Sequence, residues 1–190
     1  MNVIADTTDP RATRSRTQLT DALGDLLRCQ DAGAISVSAL CAAAGVSRPT
    51  FYQHFATIDE VAVASVERRF VRLRAELPDG PDTPYRLLVA FLSELEAERG
   101  AWQRTLGGRT ALVATRDAVE GWFADRLAES KPTASPIEVR YAAAGFLGVV
   151  RAWLLQPDAP ERPSAADLAA SLVDVSSRVL GAGTGSTLEP

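Results

Sequence analysis

A three-residue turn, Gly-Val-Ser at 45–47, constrains the fold more than any other part of the sequence. It separates two short helical segments expected near 38–44 and 48–55. Glycine readily takes the left-handed conformation that ends a helix. A serine followed two residues later by proline is typical of the start of the next helix. Two short helices joined by such a turn form a helix-turn-helix.

Most of the remaining sequence is predicted to be helical as well. Ala, Leu, Arg and Glu dominate it, and apolar residues recur at intervals of three and four. Proline-rich segments at 78–84, 130–136 and 157–164 interrupt this pattern. We therefore predict an all-α protein of about nine helices. They are expected near 11–32, 38–44, 48–55, 59–77, 84–99, 101–107, 109–130, 136–156 and 164–181.

Charge is distributed unevenly along the chain. The net charge of −4 over 190 residues argues against a uniformly basic nucleic-acid-binding protein. Residues 10–55, however, hold five arginines against three aspartates and contain no glutamate. This mildly basic N-terminal third suggests an anionic partner at that end.

The composition argues against several other classes of protein. No run approaches the ~18–20 apolar residues of a membrane span, and the N-terminus lacks the apolar core of a signal peptide, so a cytoplasmic protein is expected. Two cysteines and one histidine are too few for a disulfide framework or a closed zinc site. No nucleophile with an orienting acid is evident beside His54. We therefore predict no metal, no cofactor and no catalytic residues.

The third helix combines an apolar face with a polar one. Phe51 and Phe55 are spaced to face the core. Arginine pairs well with guanine and glutamine with adenine, a threonine methyl suits thymine, and Tyr and His commonly contact phosphates. The outward residues, which fit these roles or alternatively form a solvated surface, are Arg48, Thr50, Tyr52, Gln53 and His54.

The segment SVSALCAAAGVSRPTFYQHFATIDEV, residues 36–61, resembles the DNA-binding signature of the TetR (tetracycline-repressor) family of bacterial transcriptional regulators. The closest matches are Ala-Gly-Val-Ser at 44–47 and Thr-Phe-Tyr-Gln-His-Phe at 50–55. The resemblance covers about 11–77. Cys41 stands where the family usually has alanine, and Ile58 where it usually has a lysine that meets the DNA backbone.

The resemblance implies a homodimeric regulator, a repressor that reads a pseudo-palindromic operator and is released by a small-molecule effector. Arg48, Thr50 and Gln53 are expected to contact bases, and Tyr52 and His54 to contact phosphates. The complete set of expected DNA-binding residues is Arg14, Arg16, Ser36, Ser38, Ser47, Arg48, Pro49, Thr50, Tyr52, Gln53 and His54. An open alternative is a protein-interaction module that no longer reads DNA, which the loss of the lysine at Ile58 would favour.

The family architecture also implies an effector pocket in the C-terminal helices, although the same residues could simply fill a core. The expected lining residues are Phe91, Leu95, Trp102, Leu106, Leu112, Phe123, Leu127, Phe146 and Val150. The predicted parts of the chain are a flexible N-terminus (1–10), a helix-turn-helix domain (11–58), a connecting helix (59–77), an effector-binding and dimerisation domain (78–182) and a flexible tail (183–190).

One face of the eighth predicted helix is lined with small residues. Two mid-helix glycines cost about 1 kcal/mol each against alanine, so the face is expected to pack closely against another helix. We predict an isologous four-helix interface between two subunits, with packing inside one subunit as the alternative. The expected interface residues are Tyr141, Gly145, Gly148, Ala152, Leu155, Leu168, Leu172, Val175 and Val179.

Overall fold

The computed structural model describes residues 10–80, 82–107 and 112–181, and within these ranges all regular structure is helical. The prediction of an all-α fold with about nine helices is confirmed for this part of the chain. The predicted tail at 183–190 and residues 1–9 of the predicted flexible N-terminus lie outside the described residues. The α-helices are α1 (Pro10–Cys29), α2 (Val37–Ala44), α3 (Arg48–His54), α4 (Ile58–Ala75), α5 (Thr83–Ala97), α6 (Arg99–Trp102), α7 (Val113–Ser130), α8 (Pro136–Leu155) and α9 (Ala165–Gly181).

Two elements differ from the expected helices. The first helix ends at Cys29 rather than near 32, because the chain bends there and forms a short 3-10 turn at Ala32–Ala34. The sixth begins at Arg99 and continues as a π-helical turn over Gln103–Gly107. None of the helices in the described ranges is long and apolar enough to cross a membrane.

Local capping explains where the short helices begin and end. The Ser36 hydroxyl accepts a hydrogen bond from the amide of Ala39 at 3.1 Å, which starts α2. Gly45 ends α2 with φ 64° and ψ 30°, a left-handed conformation that favours glycine. The Ser47 hydroxyl then accepts from the Thr50 amide at 3.2 Å and starts α3. The predicted turn therefore has the expected geometry.

A first buried cluster holds α1, α2 and α3 together with the beginning of α4. Its most deeply buried members are Leu19, Leu23, Leu40, Phe51 and Val61. Leu112, which directly precedes α7, also belongs to this cluster and is only 3% exposed. The start of α7 is therefore packed against the helix-turn-helix.

A second buried cluster joins the remaining helices with the later part of α4. Aromatic contacts run through it. The rings of Phe70 and Trp122 stack with centroids 3.9 Å apart, and Phe91 and Phe123 meet edge to face at 5.3 Å. Helix α4 contributes Val61 to the first cluster and Phe70 to the second, so one helix spans both.

The segment 99–107 supplies side chains to the ends of distant helices. Arg99 Nε donates to the Leu154 carbonyl at 2.9 Å, and Gln103 Nε2 donates to the same oxygen at 2.6 Å. Arg104 donates to the Leu27 carbonyl at 3.1 Å. These carbonyls lie in the last turns of α8 and α1, where a helix has no partner of its own for them.

Candidate functional site

Helix α3 presents a polar face to solvent. Phe51 and Phe55 are 0% and 4% exposed, whereas Tyr52 is 54% exposed. Arg48, Pro49 and Gln53 are exposed, and His54 is half-buried. The structure thus brings the expected base-contacting and phosphate-contacting residues onto one short helix, with its aromatic side chains holding the opposite face in the core.

Three of the expected DNA-binding residues also hold helix ends. Ser36 and Ser47 are the N-caps described above. The hydroxyls of Ser47 and Thr50 lie 2.8 Å apart and share a hydrogen bond. Thr50 is half-buried in the first turn of α3. Ser38 is exposed on α2.

Arg16 joins α1 to the end of α3. Its guanidinium carbon lies 4.5 Å from the centroid of the Phe55 ring, and its Nη1 donates to the His54 carbonyl at 3.4 Å. A cation at a helix C-terminus also compensates the helix dipole. Sequence reasoning predicted Arg16 as a DNA contact and missed this role, while Arg14 is exposed on α1.

The first turn of α4 follows directly after α3. Thr57 caps it by accepting from the Glu60 amide at 3.1 Å, and Glu60 accepts from the Ala56 amide at 2.7 Å. Ile58 is half-buried and packs against the first cluster. An apolar contact therefore replaces the solvent-facing lysine that the family usually has.

Asp59 links this turn to α7. Its Oδ2 accepts from the Ala114 amide at 2.8 Å, and its Oδ1 accepts from the Thr115 amide at 3.0 Å and from the Thr115 hydroxyl at 2.7 Å. The residue before α7, Leu112, makes no side-chain capping bond. Asp59 therefore caps α7 from 55 residues away. The adjacent carboxylates of Asp59 and Glu60 predicted the start of α4. That Asp59 also caps α7 could not be predicted from the sequence.

A cavity of about 550 Å³, open to solvent, lies between the beginning of α5 and the ends of α7 and α9. Its apolar wall includes Leu88, Trp122, Phe123, Phe146 and Leu172. The charged residues at its rim are Arg74, Asp79, Asp82, Arg126, Glu129 and Lys131. Arg74 pairs with Asp79, and Arg126 pairs with Glu129.

This cavity includes only some of the residues predicted to line an effector pocket, and that pocket stays a prediction. Three of the nine predicted lining residues, Phe123, Leu127 and Phe146, border it. Leu112 belongs to the first cluster, where it packs against the helix-turn-helix. The other five fill the second cluster and do not line the cavity: Phe91, Leu95, Trp102, Leu106 and Val150. An apolar side chain in a core and one on a cavity wall have the same sequence pattern, so the pattern did not separate them.

The small-residue face of α8 lies on the surface of the subunit. Gly145, Gly148 and Ala152 are exposed, and Tyr141 and Leu155 are 71% and 54% exposed. A Cβ added at either glycine would meet no atom within 4 Å. Packing within the subunit therefore does not account for the two glycines.

Helix α9 matches the predicted interface only in part. Leu168 and Leu172 are each 6% exposed and belong to the second cluster. Their positions on α9 turn them toward α5 and α8 of the same subunit, and their part in a dimer interface stays a prediction. Val175 is 48% exposed and Val179 is half-buried.

Folding shifts the pKa of Glu98, which pairs with arginines of α1 and α4, and of Cys41 in α2. Burial raises the pKa of Glu98, but its hydrogen bonds and ion pairs with Arg28 and Arg69 outweigh this effect and hold the pKa below its usual range. Burial raises the pKa of the Cys41 thiol, against a smaller opposing effect of Arg48. Cys29 is exposed, and neither cysteine forms a disulfide.

Comparisons with known proteins agree with this geometry. Residues 19–64 match the model of a family described as bacterial regulatory proteins, tetR family. This match covers α2, α3 and the first turns of α4, together with the second half of α1. No curated protein sequence matches the chain significantly.

Several solved structures share the fold along almost their whole length. A TetR transcriptional regulator from Rhodococcus sp. RHA1 is 17% identical, with a TM-score of 0.61 over 90% of this chain and 99% of that one. DhaS, a dihydroxyacetone kinase operon activator, is 17% identical, with a TM-score of 0.60 over 88% and 97%. NalD, the secondary repressor of the MexAB-OprM multidrug efflux pump in Pseudomonas aeruginosa, is 19% identical, with a TM-score of 0.56 over 90% and 98%.

The helix-turn-helix geometry agrees with the match of residues 19–64 to the tetR family of bacterial regulatory proteins, and the described helices share the fold of solved TetR transcriptional regulators.

Proposed function

We propose that the protein is a repressor that binds a pseudo-palindromic operator as a homodimer and is released by a small molecule held in its C-terminal half. The observation that carries this proposal is the exposed polar face of α3, formed by Arg48, Tyr52 and Gln53. Helix α3 is fixed at its start by Ser47 and at its end by Arg16. A rigid short helix with outward hydrogen-bonding side chains suits insertion into a major groove.

The proposed roles follow from the chemistry of each side chain. Arg48 and Gln53 are assigned to base edges, and Tyr52 and His54 to phosphates. Thr50 can still present its methyl group to a base, although its hydroxyl is shared with Ser47. Arg14, on the exposed face of α1, is assigned to the DNA backbone.

Dimerisation is proposed through the exposed face of α8. Tyr141 and Leu155 leave large apolar areas in water on either side of Gly145 and Gly148. Pairing this face with its copy would cover those areas, and the glycines would allow the helices to approach closely. Two recognition helices about 34–36 Å apart would then meet successive major grooves.

Release by an effector is proposed to act through α4 and α7. Helix α4 passes from the first cluster to the second, and Asp59 ties its first turn to the start of α7. The other end of α7 borders the cavity with Trp122 and Phe123. A ligand that binds one arrangement of these helices better than another would shift the population toward it, by an amount limited to its difference in affinity.

The direct test is to select a binding sequence from a random pool of DNA duplexes and then to measure affinity against salt concentration. A specific complex should show log K falling with log salt by about 0.9 for each neutralised phosphate. Arg48→Ala and Tyr52→Ala should weaken this complex by at least tenfold without altering the helical content. Arg86→Ala, which removes an exposed arginine on α5, is the matched control and should bind normally.

If no DNA sequence is enriched and all variants bind DNA equally weakly, the proposal is refuted and a protein-interaction module is favoured. DNA-binding activity would place the protein in the bacterial cytoplasm, in association with the nucleoid. Release of the complex by a bound small molecule would complete the proposed cycle. A reporter gene carrying the selected sequence would distinguish repression from activation, since structures of both kinds share the fold.

A further inference from the structure

We infer that the cavity between α5, α7 and α9 binds an organic carboxylate with an aromatic or branched apolar body, and that Arg126 holds the carboxylate. This inference rests on the proposed function only in treating the cavity as the effector site. The volume of about 550 Å³ is in the range of sites for drug-sized ligands. The class of ligand follows from the walls, the rim and one unsatisfied hydrogen-bond donor.

The walls of the cavity favour a ligand whose main part is apolar. Phe123 and Phe146 lie in contact, with ring centroids 4.1 Å apart, and both border the cavity. Trp122 borders it as well, and one face of its indole is covered by Phe70. Leu88 and Leu172 complete the apolar surface. A ligand that fills this space would remove these side chains from water, which favours an apolar ligand in proportion to the area covered.

The Arg126 guanidinium favours a ligand with an oxygen that can accept a hydrogen bond. Its Nη2 pairs with Glu129 on the solvent side, but its Nε is buried and has no acceptor among the described residues. A buried donor without a partner is costly. The guanidinium also lies 6.0 Å from the Trp122 ring, at the boundary between the apolar wall and the rim. Because the Nε is out of reach of solvent, the Arg126 side chain would turn toward the cavity that it borders, so that a ligand oxygen accepts from the guanidinium while the apolar body contacts Trp122.

The charges at the rim balance overall, but the α7 end, with Arg126, Glu129 and Lys131, is net positive and favours an anionic oxygen over a neutral one there. Asp79 is already paired with Arg74, and Glu129 with Arg126. The Lys131 side chain makes no ion pair within the described residues, and it borders the cavity near the same end of α7. Asp82, on the α5 side of the rim, is the opposing carboxylate. A ligand carboxylate near Arg126 and Lys131 would therefore gain two cationic neighbours.

The test compares three probes that share one ring system: 2-naphthoate, 2-naphthamide and 2-naphthylmethylamine. Calorimetry of the purified protein without DNA measures binding independently of any operator. We expect naphthoate to bind about tenfold more tightly than the neutral amide, because a hydrogen bond between two charged groups is the stronger one. The amine should bind more weakly than the amide.

A paired substitution tests the role of Arg126. Arg126→Met alone would leave Glu129 unpaired at the rim, so the informative variant is Arg126→Met with Glu129→Gln, which keeps the local charge balanced. In this variant the affinity for naphthoate should fall toward that for naphthamide, with only the contribution of Lys131 remaining, while the affinity for naphthamide stays the same. Arg116→Met, on the same helix but outside the cavity, is the control and should keep the preference for the acid.

The inference is overturned if naphthoate does not bind, if it binds no better than the amide, or if the paired substitution does not reduce its advantage. Failure of the proposed function would look different. If naphthoate binds through Arg126 and the protein–DNA complex is unaffected, the ligand class stands and release by this site is refuted.

Discussion

Replacement of Asp59 by alanine should destabilise the protein by about 3 kcal/mol. One carboxylate accepts three hydrogen bonds, from the amides of Ala114 and Thr115 and from the Thr115 hydroxyl. Loss of an N-cap costs about 0.5–2 kcal/mol. Thr115 is 0% exposed, so leaving its hydroxyl without this acceptor adds about 1–3 kcal/mol. The midpoint of thermal unfolding should fall by roughly 6–12 °C for a chain of this length.

The assay is denaturant unfolding followed by helical circular dichroism, at one fixed protein concentration because dimerisation contributes to the measured stability. Asp59→Asn should recover only part of the loss, since its amide oxygen can accept from Thr115 but its amide nitrogen would face the Ala114 N–H, which is also a donor. Asp125→Ala removes an exposed carboxylate from α7, the helix that Asp59 caps, and should change stability by less than about 0.5 kcal/mol.

A double-mutant cycle with Thr115→Val separates this contact from other effects of Asp59. The two substitutions should be non-additive by more than about 0.5 kcal/mol, as expected for residues in direct contact. If Asp59→Ala costs no more than the Asp125 control, the carboxylate does not hold α7 and the reasoning is wrong.

Four further predictions concern other parts of the molecule. Arg16→Ala should lower the free energy of unfolding by about 1 kcal/mol, and lysine should not restore it, because the planar guanidinium both stacks on a ring and donates to a carbonyl. Folding lowers the pKa of Glu98, so the ionised side chain stabilises the folded protein. This contribution is fully present above the unfolded-state pKa of about 4.3 and is lost as pH falls through the lower folded-state pKa. Glu98→Gln should therefore flatten the fall in unfolding midpoint below about pH 5, whereas Glu67→Gln, at an exposed position on α4, should leave that fall intact. Gly145→Leu should keep the helical content, since space is open within the subunit, but should shift sedimentation equilibrium from dimer to monomer; an unchanged dimer would place the interface elsewhere. Ile58→Lys should steepen the salt dependence of DNA binding by about 0.9 per subunit, and an unchanged slope would mean that this position does not reach the backbone.

Features encoded by neighbouring residues were predictable from the sequence. The turn at Gly45 and the caps at Ser36 and Ser47 depend on residues within three positions of each other. Their backbone conformations therefore follow from local chemistry. The exposed face of α3 was predictable for the same reason, because helical spacing places Phe51 opposite the polar residues.

Features that depend on the arrangement of distant helices were not predictable. Residue type does not indicate whether Phe91 fills a core or Phe123 borders a cavity, since that depends on the gap between α5, α7 and α9. Leu168 has the spacing expected of an interface residue, but the orientation of α9 turns it inward. Asp59 has an ordinary helix-start pattern, and its partner lies 56 residues along the chain at Thr115.

The side chains of segment 99–107 determine how this protein would tolerate changes in length. Arg99 and Gln103 close the last turn of α8, and Arg104 closes the last turn of α1. Inserting one residue between them would rotate the later side chains by about 100° around the helix axis, given 3.6 residues per turn, and would move them away from their carbonyls. Insertions here should therefore loosen two distant helix ends at once. The turn at 131–134, between α7 and α8, lies outside any helix and should accept extra residues far more easily.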